Sequence, residues 1–320
     1  MIMTGARRID VHAHYFGGRV AALLDSRPRL SDAPATPPWT PESALALMEQ
    51  NGIATQLLSL PFTPVSPDSD PGFAAAFARQ VNQEYAKLMS DRPGRFGAFA
   101  AVPGDSAEAM VSEIGYALDT LNLDGVALNS NVQGQYWGSA LLEPVLAELD
   151  RRQVPVLIHP TDSPHAVELA LGRPRSVVEF PFDTARNITN ALYTGVFERY
   201  PNLRLILPHC GGPLPTLAWR IGVNTAIGRG PQDAVVTAEH VSRVLKGLYY
   251  DTAMAGSRNS LLPVLEVTDS DHLLLGTDWP AAPEPVVTEN LKLLTSFGFA
   301  PDELERIEHG TARRLFPRLS

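Results

Sequence analysis

The 320-residue sequence has one cysteine, no basic cluster and no long apolar run, and each deficit excludes a class of protein. Cys210 alone cannot form an intrachain disulfide, which favours a reducing compartment. A formal net charge of -9 argues against nucleic acid and acidic membrane surfaces as partners. No apolar run approaches the ~20 residues of a membrane span, and the N-terminus lacks the apolar core of a signal peptide. We therefore expect a cytoplasmic protein that binds neither nucleic acid nor membrane.

A glycine-rich phosphate-binding turn is also missing after the first apolar run, which argues against the alternative of a doubly wound open sheet. Instead, eight short apolar runs alternate with helical patterns, and each has the length of a buried parallel strand. They span residues 8–14, 55–60, 96–102, 125–130, 155–160, 203–209, 248–253 and 272–278. No linker or repeat interrupts the alternation, so we predict a single (β/α)8 TIM barrel domain over residues 1–320.

Three connections after predicted strands are too long for simple turns. They span residues 17–40, 61–71 and 161–183. Because loops that follow the strands of a barrel lie on its catalytic face, we expect these connections to cover that face.

Histidine and aspartate recur where the predicted strands end. His12 and His14 end the first strand, His159 the fifth, His209 the sixth and Asp278 the eighth. A lone H-x-H pair is usually packing, but residues two apart on a strand face one side, and all these strand ends meet at the barrel mouth. Imidazole and carboxylate suit Zn²⁺ and also Mn²⁺ or Fe²⁺. The coincidence predicts a metal site made of His12, His14, His159 and Asp278.

The segments that carry these residues resemble a known family. IDVHAHY, LIHP, LILPHCGGPLPTLAWRI and LLLGTDWP are similar to segments of the amidohydrolase superfamily. The similarity covers nearly the whole chain. It is closest to the amidohydrolase-2 branch, which contains aminocarboxymuconate-semialdehyde, γ-resorcylate and 6-methylsalicylate decarboxylases.

The resemblance implies roles for individual residues. The four residues of the predicted metal site match the ligands of the family, and His209 matches a histidine that serves as acid or base or polarises the substrate. Binuclear relatives use a carboxylated lysine after the fourth strand, where this chain has Asn129 and Asn131. One divalent ion is therefore expected, with zinc as the first choice and manganese as the second.

Arg220, eleven residues after His209, matches an arginine that in several relatives reaches the neighbouring subunit's site to hold a carboxylate. Together with the apolar segment around Trp219, it suggests a homodimer. The alternative is an ordinary surface arginine on the helix after the sixth strand.

The implied reaction is the non-oxidative decarboxylation of a hydroxylated aromatic or related unsaturated carboxylic acid, such as 6-methylsalicylate. Asp278 or His209 would deliver a proton to the carbon that loses CO₂. Two alternatives stay open: a metal-dependent hydrolase of an amide, lactone or ester, and a binding protein that has lost catalysis.

Four further residues are candidates for substrate contacts. Tyr15 follows the H-x-H pair, and Phe180, Phe182 and Arg186 lie in or near the third long connection, which we expect to form a wall of the site. Aromatic side chains could stack on a flat ring. Packing of the aromatic residues and capping or surface pairing by Arg186 are the alternative roles.

Overall fold

The computed structural model describes residues 7–26, 38–229 and 236–319. Eight strands lie within these ranges, close to the eight predicted runs. They are β1 (Arg8–His14), β2 (Ile53–Ser59), β3 (Phe96–Ala100), β4 (Gly125–Asn129), β5 (Pro155–His159), β6 (Arg204–Leu207), β7 (Tyr249–Asp251) and β8 (Leu273–Leu274).

All neighbouring strands pair in parallel, in the order in which they occur along the chain. The backbone closes this sheet into a barrel, because the N–H of Val11 donates to the carbonyl of Leu275 at 2.9 Å and that of His14 to Trp279 at 2.7 Å. The predicted barrel is confirmed, and the open doubly wound alternative is wrong, since such a sheet does not keep sequential strand order.

Helices follow the strands and cover the outside of the barrel. They are α1 (Gly18–Ser26), α2 (Pro41–Gln50), α3 (Phe73–Asp91), α4 (Ala107–Asp119), α5 (Glu143–Arg152), α6 (Ala166–Leu169), α7 (Glu179–Tyr193), α8 (Val196–Arg199), α9 (Leu214–Ala226), α10 (Ala238–Gly247), α11 (Arg258–Leu265), α12 (Glu284–Thr295), α13 (Pro301–Glu305) and α14 (Thr311–Leu315). In residues 7–26, 38–229 and 236–319, no helix has the length and apolar character needed to cross a membrane.

The hydrophobic core has two parts. The larger part lies between the strands and the surrounding helices. The smaller part joins buried residues of separate strands, among them Val11, Leu57, Phe99 and Ile206, to Phe316 beside α14. Side chains from strands spread around a barrel can meet only inside it, so this second cluster fills the barrel interior. The interior is therefore packed, and the functional groups are confined to its mouth.

Two predicted boundaries differ from the structure in ways that affect the site. The eighth strand ends at Leu274, so Asp278 lies in a turn beyond it. Helix α7 begins at Glu179, and Pro181 lies in its first turn, where a missing N–H is tolerated. The prediction that Phe180 and Phe182 lie in a loop is therefore wrong. Of the first long connection, residues 27–37 lie outside the described residues.

Candidate active site

The four residues of the predicted metal site come together at the mouth of the barrel. One ligand atom from each of His12, His14, His159 and Asp278 lies within 4.8 Å of the others, and all four residues are buried. Oδ1 of Asp278 is 2.9 Å from Nε2 of His14 and 3.5 Å from Nε2 of His12. The strands thus bring residues more than 260 positions apart in sequence to one point.

The turn that carries Asp278 depends on hydrogen bonds to β1. Asp278 has a φ of 65°, a left-handed conformation that is uncommon for a residue other than glycine. Its N–H donates to the carbonyl of His12 at 2.7 Å, and the hydroxyl of Thr277 accepts from the N–H of Trp279 at 3.2 Å. These bonds hold the carboxylate beside the two histidines of β1.

Hydrogen bonds determine which ring nitrogen of His12 and of His14 carries hydrogen and which one faces the cluster. Nδ1 of His12 lies 2.7 Å from a carboxylate oxygen of Asp251, which can only accept, so Nδ1 carries hydrogen. The hydroxyl of Ser59 donates to the carbonyl of Ala13 and therefore accepts from Nδ1 of His14 at 3.2 Å. Nε2 of both rings is left to face Asp278 and a shared ion.

The environment of this cluster favours a cation. Burial acts to lower the pKa of His12, but the carboxylates of Asp251 and Asp278 outweigh it and raise that pKa to about 9. Burial acts to raise the pKa of Asp278, but the close imidazole of His14, 2.9 Å away, and the charge of His12 hold it well below its usual range. Burial, followed by the neighbouring histidines, lowers the pKa of His159 well below its usual value. The carboxylates thus stabilise positive charge, while His159 stays neutral, as a metal ligand must.

Unpaired atoms support the same conclusion. Within the described residues, Nε2 of His12 is buried and makes no hydrogen bond, and the same holds for Nδ1 of His159. A buried polar group without a partner costs about 1–3 kcal/mol. Nε2 of His14, with hydrogen on Nδ1, faces Oδ1 of Asp278 at 2.9 Å, and two acceptors so close repel unless a proton or cation joins them. The donor set therefore fits a divalent metal ion.

His209 lies beside this cluster rather than in it. It begins a short 3-10 turn after β6, and its ring stacks on that of His12 with centroids 5.2 Å apart. Its Nδ1 donates to the carbonyl of Ala253 at 3.0 Å, which leaves Nε2 able to exchange a proton. Asp251 accepts from the backbone N–H of His209 at 3.0 Å and so joins this histidine to His12.

A cavity of about 480 Å³ opens onto the cluster. His14, His159, His209 and Asp278 form its polar lining together with Ser176. The other lining residues are apolar: Pro61, Val177, Phe180, Pro181, Met254 and Ala281. Such a pocket, with apolar walls and a few convergent polar groups, suits a small organic ligand.

Of the four substrate-contact candidates, Phe180 alone lines this cavity. The hydroxyl of Tyr15 donates to Glu84 at 2.9 Å, and its ring packs against Trp39, away from the mouth. Phe182 and Arg186 line a separate shallow groove on the outer side of α7, and Arg186 pairs with buried Asp183 at 2.7 Å. Neighbouring residues along a strand point to opposite sides, so the side chain of Tyr15 points away from the cavity that His14 lines.

Arg220 is exposed on α9, next to Trp219, whose side chain is 72% exposed. Within the described part of this chain, it does not line the cavity. Arg220 therefore makes no direct contact with this cavity within its own subunit.

Asp251 and Asp10 are buried carboxylates at this centre that the sequence analysis missed. Asp251 ends β7, as His159 ends β5, so its strand-end position was an available signal. Asp10 precedes the H-x-H pair by two residues on β1. Burial raises its pKa to about 6, opposed by hydrogen bonds from Thr277, Gln56 and the backbone of His12. Both carboxylates hold His12, one through the ring and the other through the backbone.

A protein family and two decarboxylases match this chain over nearly its whole length. The profile of the amidohydrolase family matches residues 9–318. Decarboxylase macB of Penicillium terrestre is 33% identical over 97% of this chain and 95% of its own length. The 6-methylsalicylic acid decarboxylase of Penicillium expansum is 31% identical over 98% of this chain and 97% of its own length.

The fold also agrees with solved structures. A dihydroxybenzoic acid decarboxylase from Polaromonas sp. JS666, solved with bound manganese and the inhibitor 2-nitroresorcinol, superposes with a TM-score of 0.79. The alignment covers 98% of this chain and 97% of that one at 22% identity. At this identity the comparison establishes a shared fold.

Proposed function

Since this chain belongs to the amidohydrolase family, we propose that it is a metal-dependent, non-oxidative decarboxylase of a hydroxylated aromatic acid. Its substrate is a small carboxylic acid of the 6-methylsalicylate type, and residues 1–320 form one catalytic barrel domain. The observation that carries the proposal is the cavity where His209 and Asp278 meet apolar walls. The two Penicillium decarboxylases support it by matching this chain over nearly their full length. The single cysteine supports the cytoplasm as its location.

One divalent ion would be held by His12, His14, His159 and Asp278. Zinc is our first choice because imidazole and carboxylate suit it, and manganese is the second, supported by the Polaromonas structure. When bound, the ion supplies Lewis acidity to the substrate carboxylate and the adjacent hydroxyl oxygen.

The proton comes from a side chain at the cavity. Nε2 of His209 transfers a proton to the ring carbon that bears the carboxylate, and that carbon becomes tetrahedral. The Asp278 carboxylate, whose pKa lies well below its usual range, must first take up a proton before it can serve instead. The bond to the carboxylate then breaks, its electron pair restores the aromatic ring, and CO₂ leaves. The substrate hydroxyl donates electron density while the ring carries the added proton. No organic cofactor is required, because no net oxidation or reduction occurs.

The cavity walls indicate which ring substituents fit. Phe180, Pro181 and Met254 present apolar surface, and within the described residues no arginine or lysine lines the cavity. A second carboxylate on the substrate would lose its hydration in this chain's cavity without gaining a partner. We therefore propose aromatic acids with one carboxylate and an apolar ring substituent as the preferred substrates.

Incubation with 6-methylsalicylate is expected to release CO₂ and, in heavy water, to place one deuterium on the ring carbon that lost the carboxylate. The label follows from the mechanism, since the leaving carboxylate is replaced by a proton from an acid that exchanges with solvent. Mass spectrometry of the product with CO₂ detection measures both. Parallel incubations of esters, lactones and amides in H₂¹⁸O provide the comparison. Turnover of only these compounds, with ¹⁸O uptake and no CO₂, would contradict decarboxylation and favour the hydrolase.

The surface formed by α7 and α9 supports a homodimer. Trp219 is 72% exposed on α9, and Phe182 of α7 and Leu217 of α9 line one shallow groove. Exposed aromatic side chains of this kind are enriched at subunit interfaces. We propose that α9 lies near a two-fold axis and that Arg220 enters the partner's cavity to hold the substrate carboxylate.

Mixing the inactive variants His209→Ala and Arg220→Ala is expected to restore part of the activity. If Arg220 acts across the interface, each hybrid dimer contains one intact site. Random exchange should then recover roughly a quarter of wild-type activity, because half of the dimers are hybrids with one complete site of two. Subunit exchange is verified by mass spectrometry of tagged chains. Complete exchange without recovery would show that Arg220 serves its own subunit.

A further inference from the structure

Asp10 joins the two segments that carry most of the proposed metal ligands. It is fully buried on β1 and does not line the cavity. Its Oδ1 accepts from the backbone N–H of His12 at 3.1 Å and from that of Thr277 at 3.0 Å. Its Oδ2 accepts from Nε2 of Gln56 at 2.9 Å and from the hydroxyl of Thr277 at 2.6 Å. One carboxylate therefore receives four hydrogen bonds from β1, β2 and the turn after β8.

The turn after β8 needs such support. Thr277 lies directly before Asp278, whose left-handed backbone is unfavourable for a residue with a side chain. The strand itself ends at Leu274, and beyond it β1 holds the backbone through isolated hydrogen bonds, among them those at Asp278 and Trp279. Both hydrogen bonds that Thr277 makes to Asp10 act on the residue adjacent to this position.

We propose that Asp10 is a positioning residue, which holds Thr277 and thereby keeps the Asp278 carboxylate beside His12 and His14. The proposal rests on the metal site of the proposed function. A carboxylate is required because its two oxygens have lone pairs for four donors, whereas an amide has one oxygen and turns its own N–H groups toward donors. An asparagine of the same shape would turn its own N–H groups toward Gln56 and the hydroxyl of Thr277, so Nε2 of Gln56 would lose its acceptor and the hydroxyl would have to turn away.

The test measures metal affinity, which does not depend on knowing the substrate. Asp10→Asn is expected to fold, as judged by circular dichroism and a single melting transition, but to bind Zn²⁺ about 10–100-fold more weakly in competition with a chelator. With 6-methylsalicylate, kcat should fall while KM changes little, because Asp10 does not line the cavity. Thr277→Val should weaken the binding of Zn²⁺ to a similar degree. Thr277→Ser keeps the hydroxyl and should retain the wild-type affinity for Zn²⁺.

Asp124 offers a matched control. Its side chain is also buried and accepts from the N–H of Ala98 at 2.9 Å and from Nε and Nη2 of Arg318 at 2.7 Å each. However, it precedes β4, at the opposite end of the barrel from the site. Asp124→Asn should lower the melting temperature and leave the affinity for Zn²⁺ unchanged.

The outcomes separate this inference from the proposed function. Folded Asp10→Asn with wild-type affinity for Zn²⁺ and wild-type kcat would overturn the positioning role alone. If Asp10→Asn does not fold, equal affinity of Thr277→Val and Thr277→Ser would overturn it. Wild-type protein that binds Zn²⁺ but releases no CO₂ would contradict decarboxylation. The Zn²⁺ affinities of the Asp10 and Thr277 variants would then still decide whether Asp10 is a positioning residue. Wild-type protein that binds neither Zn²⁺ nor Mn²⁺ overturns both.

Discussion

Replacement of His159 or Asp278 by asparagine is expected to remove the metal and lower activity by on the order of 10³-fold or more. Loss of a residue that only hydrogen-bonds to a metal ligand already lowers metal affinity or activity by about 10–100-fold, so loss of the ligand itself should cost more. Both residues belong to the buried cluster of ligand atoms, whose other two members are His12 and His14. Asparagine keeps the approximate volume of Asp278 but removes its charge. Metal analysis of protein purified without chelator, together with CO₂ release, measures the two effects.

His272→Asn is the control for these variants. His272 precedes β8 at the opposite end of the barrel and pairs with Asp269 at 3.2 Å. Its replacement should leave metal content and activity near wild-type values. Wild-type protein that is folded, free of metal and indifferent to chelators would remove the metal site from the proposal, and so would full metal content in the Asp278 variant.

Replacement of His209 by asparagine is expected to lower kcat by ~10²–10⁴-fold, the usual contribution of a positioned general acid or base. The asparagine N–H can take over the hydrogen bond to the carbonyl of Ala253, so the loop after β7 should keep its conformation. Metal content should stay at the wild-type value, because His209 lies outside the four-residue ligand group. The variant thus separates proton transfer from metal binding.

Single-turnover measurement of CO₂ release, with metal analysis of the same sample, tests this prediction. His240→Gln is a suitable control, because His240 is buried but pairs with Glu198 on the outer helices at 2.9 Å. A His209 variant with full metal content and unchanged kcat would assign proton transfer to Asp278 alone.

The grouping of the four proposed metal ligands could be predicted from sequence, because their positions follow from periodicity. A strand that ends in H-x-H presents both histidines to one side, and sequential parallel strands bring the ends of β1, β5 and β8 to one mouth. The same rule applies to Asp251 at the end of β7. That strand carries no histidine or second acidic residue, so it lacks the paired signal that β1 has. The role of Asp10 does not follow from strand periodicity, because it depends on a hydrogen bond from Thr277, which is 267 residues away in sequence.

The wall of the cavity could not be predicted to the same degree, because it depends on where a helix begins. Pro181 made the segment around Phe180 resemble a loop, yet proline is tolerated in a first helical turn, and α7 begins at Glu179. Once the segment is helical, Phe180 and Phe182 cannot face one direction, since residues two apart on a helix diverge. Phe180 consequently reaches the cavity, and Phe182 lies on the outer surface.

The separation of 264 residues between His14 and Asp278 also has a consequence for biosynthesis. At the usual pace of translation, about 5–20 residues per second, Asp278 is made roughly a quarter of a minute to a minute after His14. During that interval the emerging chain can offer a cation two or three imidazoles but no carboxylate from the turn after β8. The four proposed ligands come together only when the turn after β8 reaches β1, so a cation that needs all four could load only after nearly the whole barrel is made.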